Sequence, residues 1–219
     1  SLDDLGRYEE AISSYDKAVE IKPDKHEAWN NRGNSLDDLG RYEEAISSYD
    51  KAVEIKPDKH EAWNNRGNSL DDLGRYEEAI SSYDKAVEIK PDKHEAWYNR
   101  GISLRNLGRY EEAISSYDKA VEIKPDYHEA WNNRGISLKN LGRYEEAISS
   151  YDKAVEIKPD FHNAWYNKAC NYALQGNIEK AIENLKIAIN LNPDTVRESA
   201  KTDSDFDAIR EDERFQSLL

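Results

Sequence analysis

The twenty residues from Leu39 to Asp58, LGRYEEAISSYDKAVEIKPD, constrain this chain more than any other feature, because they occur five times without a change. The copies end at Asp24, Asp58, Asp92, Asp126 and Asp160, and a diverged relative, Gln175 to Asp194, follows at the same 34-residue step. A fixed step of this size, one supersecondary unit per step, is the mark of a solenoid, whose units bury only the faces they turn to their neighbours. Composition agrees: 35% charged and 37% hydrophobic residues over 219 positions are too polar for one large globular core. Such polarity can also mean disorder, but five Trp, fourteen Tyr and strict helical periodicity argue against it.

Within the constant stretch, Tyr42, Ala45, Ile46, Tyr49, Ala52 and Val53 recur at helical spacing and form one apolar stripe. Glu43, Glu44, Ser47, Ser48, Asp50, Lys51 and Glu54 take the other face and are expected to be wet, with Gly40 and Pro57 as punctuation. A companion helix is expected from about His26 to Leu39, opened by a capping box in which Asp24 and Glu27 satisfy the first amides. On it Trp29, Gly33, Leu36 and Leu39 should meet the constant helix, while Asn30, Asn31, Asn34, Asp37 and Asp38 form a polar stripe.

Trp29, Gly33, Leu36, Gly40, Tyr42, Ala45, Tyr49, Ala52 and Pro57, repeated 34 residues later as Trp63, Gly67, Leu70, Gly74, Tyr76, Ala79, Tyr83, Ala86 and Pro91, resemble the signature of the tetratricopeptide repeat in its prokaryotic form. The resemblance implies an all-α, right-handed superhelical solenoid of antiparallel helix pairs whose first helices line a concave groove, and a protein-interaction role rather than an enzyme. It divides the chain into an array over residues 1–194, with a truncated unit 1–24 and five full pairs over 25–194, and a C-terminal helical cap over 195–219. In the cap, Val196, Ala200, Phe206, Ile209, Phe215, Leu218 and Leu219 are expected to cover the last unit. One departure stands out. Arg32, Arg66, Arg100, Arg134 and Lys168 sit on the packing stripe where the family usually has Leu, so each cation should pack its stem and reach an acid.

The units differ almost only on the inward stripe of the first helix. Asn30 and Asn64 become Tyr98, Asn132 and Tyr166; Asn34 and Asn68 become Ile102, Ile136 and Cys170; Asp37 and Asp71 become Arg105, Lys139 and Ala173. A fixed frame with a variable groove suits recognition. Asn31, Asn65, Asn99, Asn133 and Asn167 never vary, and an Asn offers both donors and an acceptor to a peptide main chain. The arrangement is similar to the asparagine ladders of some tetratricopeptide arms, and it competes with a plain structural role for the same side chains. The groove assignment is therefore this ladder with Tyr98, Tyr166, Ile102 and Ile136 for apolar contacts and Arg105 and Lys139 for charge preference. A carboxylate clamp fits poorly, because Arg105 and Lys139 are the obvious inward cations.

Net charge is −14 and falls unevenly, from −3 in each of the first three 34-residue units to 0 over Ser137 to Cys170. The balance favours a basic or neutral protein or peptide partner and gives a nucleic acid no basic patch. A single cysteine, Cys170, precludes an internal disulfide and points to a reducing, cytoplasmic setting. No apolar run reaches membrane-spanning length. The chain lacks Met and begins mid-unit, which suggests a piece of a longer protein. No catalytic or zinc motif and no cofactor fingerprint appears; the once-per-unit histidines (His26, His60, His94, His128, His162) read as helix-start surface residues, and Asp203, Asp205 and Asp207 lack the Gly and Glu of a calcium loop. The structural alternative is a self-assembling rod or spacer that associates through terminal units.

Overall fold

Each constant stretch forms a 14-residue helix because its apolar stripe recurs every three to four residues and glycine ends the helix before it. The computed structural model describes residues 6–219; the opening stub and any unit face it leaves uncovered lie outside the described residues. The chain divides into two compact units, 1–108 and 109–219. The first holds α1 (Tyr8–Ile21), α2 (His26–Asp38), α3 (Tyr42–Ile55), α4 (His60–Asp72), α5 (Tyr76–Ile89) and α6 (His94–Asn106). The second holds α7 (Tyr110–Ile123), α8 (His128–Asn140), α9 (Tyr144–Ile157), α10 (His162–Leu174), α11 (Ile178–Leu191) and α12 (Pro193–Thr202), then a 3-10 turn, η1 (Ser204–Ile209), and α13 (Glu213–Gln216). Among the described residues there is no strand. The architecture is an all-α solenoid of helix pairs with a C-terminal helical cap.

In the first unit consecutive helices pack on one another, and the first helices α2, α4 and α6 also touch side by side. The core repeats with the sequence: Ile12, Leu36, Ala45 and Tyr49 form one cluster, and Ile46, Leu70, Ala79 and Tyr83 the next. Fully burying a large apolar side chain is worth about 1.5–3 kcal/mol, so these short clusters, repeated, replace a single large core. Gly33 and Gly67 admit the aromatic rings: a Cβ at either would lie 2.5 Å from the Tyr49 or Tyr83 ring. The glycine is therefore needed for a ring seated on the backbone, a closer constraint than helix-to-helix approach.

The helix-ending glycines have a different task. Gly40 adopts φ +71°, a conformation that costs an L residue. Its N–H donates to Asp37 O at 2.8 Å and that of Arg41 to Leu36 O at 2.9 Å, the paired bonds of a Schellman end.

Three expectations are corrected. The Asp24–Glu27 capping box does not form: α2 starts at His26, its N-cap residue is Lys25, and no side chain caps it. Asp24 lies one position too early, in a turn closed by backbone bonds such as His26 N–H to Asp24 O at 3.1 Å. Ser48 is buried rather than wet, because an arginine from α2 reaches it, as described below. Leu39 is 37% exposed because it is the C-cap residue, outside the packed stripe. Trp29 is partly buried; it packs with Trp63 on Ala52, Val53 and Ala62, and its indole N–H donates to Pro23 O at 2.9 Å.

In the second unit the C-terminal segment covers α10 and α11. Val196, Ala200, Phe206, Ile209 and Phe215 join Ala169, Cys170, Ala173, Leu185 and Ile189 in one cluster, with Leu218 and Leu219 packed against it.

Candidate functional site

The cations on the packing stripe belong to the frame. Arg32 Nε meets Asp16 Oδ1 at 2.6 Å and its Nη1 donates to Ser48 Oγ at 2.6 Å, so one guanidinium of α2 ties α1 to α3. Arg66 repeats this with Asp50 and Ser82, and Arg134 with Asp118 and Ser150. Arg100 meets Asp84, and Lys168 Nζ meets Asp152 at 2.6 Å. These cations are 14–20% exposed and their acids about half exposed. The stem packs and the head finds its acid in the preceding helix, as the sequence predicts.

The inward stripe of the first unit is built from α2, α4 and α6. Asn34 Oδ1 accepts from Tyr49 OH at 2.9 Å and from Asn65 Nδ2 at 3.0 Å; Asn68 Oδ1 likewise accepts from Tyr83 OH at 2.9 Å and Asn99 Nδ2 at 3.0 Å. Asn65 and Asn99 thus each spend an amide N–H inside the protein, on the asparagine of the preceding repeat. Asn31, with no counterpart in these contacts, is exposed.

Beside the ladder runs a row of carboxylates. Ser69 donates to Asp37 and Ser103 to Asp71. Asp37 and Asp71 both have pKa values raised above the usual Asp range, chiefly by burial; Asp72 repels both, Asp38 also repels Asp37, and Arg105 pulls Asp71 back. Asn34, Asp37, Asp38, Asn65 and Asn68 surround a recess of about 300 Å³. A second recess of about 300 Å³ lies among Asp37, Asn68, Asp71, Asp72, Asn99 and Ile102. The predicted groove residues Asn65, Asn99 and Ile102 therefore come together, joined by aspartates that the sequence reading placed on the polar stripe but not in the site.

The second unit carries a different inward stripe. Tyr166 OH donates to Asp203 Oδ2 at 2.7 Å, Cys170 Sγ lies 3.7 Å from the same oxygen, and Lys139 Nζ holds Asp205. Phe206, fully buried, sets its ring edge-on to Tyr166 at 5.7 Å and against Phe215. Lys139 and Tyr166 are thus engaged by the chain's own segment rather than open to solvent. Charge opposition between Lys139 and an Asp-Ser-Asp stretch was the available signal, but 66 residues separate the partners. Ile136 packs with Ile114, Leu138 and Tyr151, and Asn167 Nδ2 donates to Asn132 Oδ1 at 2.9 Å. Asn133 Oδ1 accepts from Asn132 at 3.4 Å. In the first unit, Tyr98 is half-buried on α6.

Cys170, Asp203 and Asp205 bring ligand atoms within 4.8 Å of one another. Lys139 already pairs with one of its two carboxylates, and burial pushes the Cys170 thiol well up, away from the thiolate a metal needs. The histidines are more buried than expected, at 15–22% exposure for His26, His60, His94 and His128, each beside the Glu that follows it.

The tetratricopeptide repeat profile matches residues 1–60, 34–94, 64–128 and 98–160, and a second tetratricopeptide repeat profile matches 162–195. No curated protein matches significantly. Among solved structures, YrrB, described as a TPR protein with an unusual peptide-binding site, is 30% identical with a TM-score of 0.73, over 87% of this chain and 98% of its own. A MamA structure is 25% identical with a TM-score of 0.71, over 75% and 96%; MamA from Desulfovibrio magneticus RS-1, 21% identical with a TM-score of 0.73 over 77% and 96%, shares the fold. Among the described residues no helix is long and apolar enough to cross a membrane. By its repeated signature, its stacked helix pairs and profile matches over most of its length, the chain belongs to the tetratricopeptide repeat family, whose fold serves protein–protein interaction.

Proposed function

We propose that this chain is a docking module that holds a peptide-like segment of a partner protein against the inward stripe of its first helices. The observation that carries the reading is that one such segment is already held on such a stripe: Lys139 and Tyr166, chosen from sequence as groove residues, bind Asp205 and Asp203 of the chain's own C-terminal stretch. In the first unit the stripe offers Asn65 and Asn99 to the main chain through their carbonyl oxygens, with Asn31 at one edge and Tyr98, Ile102 and Arg105 toward the other. Asn133, Asn167 and Ile136 continue the pattern in sequence in the second unit, where Lys139 and Tyr166 serve the cap. The peptide-binding description of YrrB, the relative at 30% identity, supports the same reading. The preferred partner is a basic or neutral segment, and the site acts by binding rather than by chemistry.

Selection from a random twelve-residue display library tests this, followed by fluorescence anisotropy of the enriched peptides. Enriched peptides should bind the parent and lose affinity for Asn65→Ala/Asn99→Ala, while a Lys51→Ala/Lys85→Ala control keeps it. Equal binding to all three proteins would move recognition off this stripe. Failure to enrich anything, together with light scattering that grows with concentration, would favour the self-assembling rod.

A further inference from the structure

The 34-residue register lets the occupied stripe of the second unit be compared, position by position, with the open stripe of the first. Lys139, Tyr166 and Cys170 correspond to Asp37, Asn64 and Asn68 at α2 and α4, and to Asp71, Tyr98 and Ile102 at α4 and α6. In the second unit the three positions carry donors, an ammonium, a phenol and a thiol, and what lies on them is a pair of carboxylates. In the first unit the lysine position is a carboxylate in both places.

Several neighbouring donors there are already committed. The hydroxyls of Ser69, Ser103, Tyr49 and Tyr83 and the amide nitrogens of Asn65 and Asn99 each donate to a protein acceptor. Acceptors are in surplus. Asp37, Asp38, Asp71 and Asp72 form no ion pair within 4 Å among the described residues, whereas the frame's Asp16, Asp50 and Asp84 each have one. Asn64, at the position of Tyr166, has a buried carbonyl oxygen with no donor, as does its equivalent Asn30.

We propose that the stripe of α2, α4 and α6 takes a cationic segment, with one Lys or Arg at Asp37 and another at Asp71, in the place and with the inverse charge of the C-terminal stretch on α8 and α10. The inference rests on the docking function proposed above and names the chemistry of its partner. Its register follows from the repeat. Packed neighbouring helices lie ~8–10 Å apart and an extended chain advances ~3.3 Å per residue, so the two cations stand about three residues apart. Each replaces solvent at a half-buried carboxylate with a direct partner, a charge-assisted bond of the stronger kind. A segment bearing carboxylates, including a free C-terminus, meets four like charges, with Arg105 of α6 as the counter-charge beside Asp71.

The test uses the full chain and synthetic fourteen-residue peptides of Ser, Thr and Gly that carry two lysines three apart, the same lysines adjacent, two aspartates three apart, or no charge. Anisotropy at low salt should rank the three-apart peptide first, about tenfold tighter than the uncharged one, with the advantage shrinking as salt screens it. Asp37→Asn/Asp71→Asn should abolish that advantage, with circular dichroism reporting an unchanged fold, and Glu54→Gln/Glu88→Gln should not. Equal binding of charged and uncharged peptides, lost in Asn65→Ala/Asn99→Ala, would overturn the charge assignment while leaving the docking site standing. Preference for the aspartate peptide would overturn it outright. Adjacent lysines binding as well as spaced ones would overturn the register. No binding by any of the four, with a display library that also yields nothing, would remove the docking site itself.

Discussion

Two tyrosines at equivalent repeat positions with opposite hydrogen-bond fates give the sharpest test of how these units are held together. Tyr83 and Tyr151 occupy equivalent places, 1% and 0% exposed, each ring seated on a glycine of the preceding helix. Tyr83 OH donates to Asn68 Oδ1 at 2.9 Å. Tyr151 OH is buried with no partner, because the equivalent of Asn68 is Ile136. Removing a paired hydroxyl costs about 0.5–1.5 kcal/mol net, whereas a buried unpaired group carries a desolvation penalty of about 1–3 kcal/mol. Tyr83→Phe should therefore destabilise by about 1 kcal/mol, and Tyr151→Phe should be neutral or stabilise. The assay is guanidinium denaturation of both single variants, with midpoints compared at matched slopes. Ile136→Asn supplies the reciprocal test: it should make Tyr151→Phe costly, at the expense of the Ile136 contacts with Ile114 and Leu138. Equal costs for the two tyrosine variants in the parent background would refute the assignment of a hydrogen bond to one and an orphan hydroxyl to the other.

Other expected outcomes follow from the same contacts. Asp37 and Asp71 have folded pKa values above their unfolded ones, so they favour the fold below the ordinary Asp range near 3.8 and lose that contribution as pH rises through the higher folded values; Asp37→Asn/Asp71→Asn should raise the thermal midpoint at pH 7 and show no gain near pH 3. Arg66→Leu, which restores the family's usual residue, should be within about 1 kcal/mol of the parent by chemical denaturation, since a well-packed apolar side chain can replace a partly buried ion pair at little cost. Asp50→Ala, which leaves Arg66 with Ser82 alone, should be the more damaging of the two. Gly67→Ala forces a methyl to within 2.5 Å of the buried Tyr83 ring and should cost about 1–3 kcal/mol in the same assay.

Much of the frame was legible because period and chemistry agreed. Six apolar positions at helical spacing located the constant helix, and a cation among them demanded an acid. What the sequence withheld was pairing across long separations. Asp16 stands 16 residues before Arg32, and Ser48 16 residues after, on a helix whose periodicity puts it at the edge of the wet face; only packing of three helices makes it the arginine's second acceptor. The ladder asparagines were visible as an invariant column, but their orientation was not, since it depends on Asn34 and Asn68 accepting from the next unit. The occupied stripe was the least legible part. Asp203 and Asp205, with Asp207, look locally like a broken calcium loop, and nothing local links them to Lys139.

In the proposed docking role, the repeats explain why a few positions can carry the partner preference. Five identical copies of the constant stretch hold the first helices in nearly constant local surroundings, so a change at an inward position acts on a ligand with little compensation from the frame. Where it does act on the frame, the cost is visible: replacing Asn by Ile at position 136 strands the Tyr151 hydroxyl and sends Asn167 to Asn132 instead, in exchange for apolar contact with Ile114 and Leu138. In the column of Asp37, Asp71 and Lys139 the hydrogen bonds go to a serine or to the C-terminal stretch, while the buried Tyr49 and Tyr83 hydroxyls bond to Asn34 and Asn68. Charge at this column can invert from unit to unit while the core stays as it is, and so it is the column where partner charge should be specified.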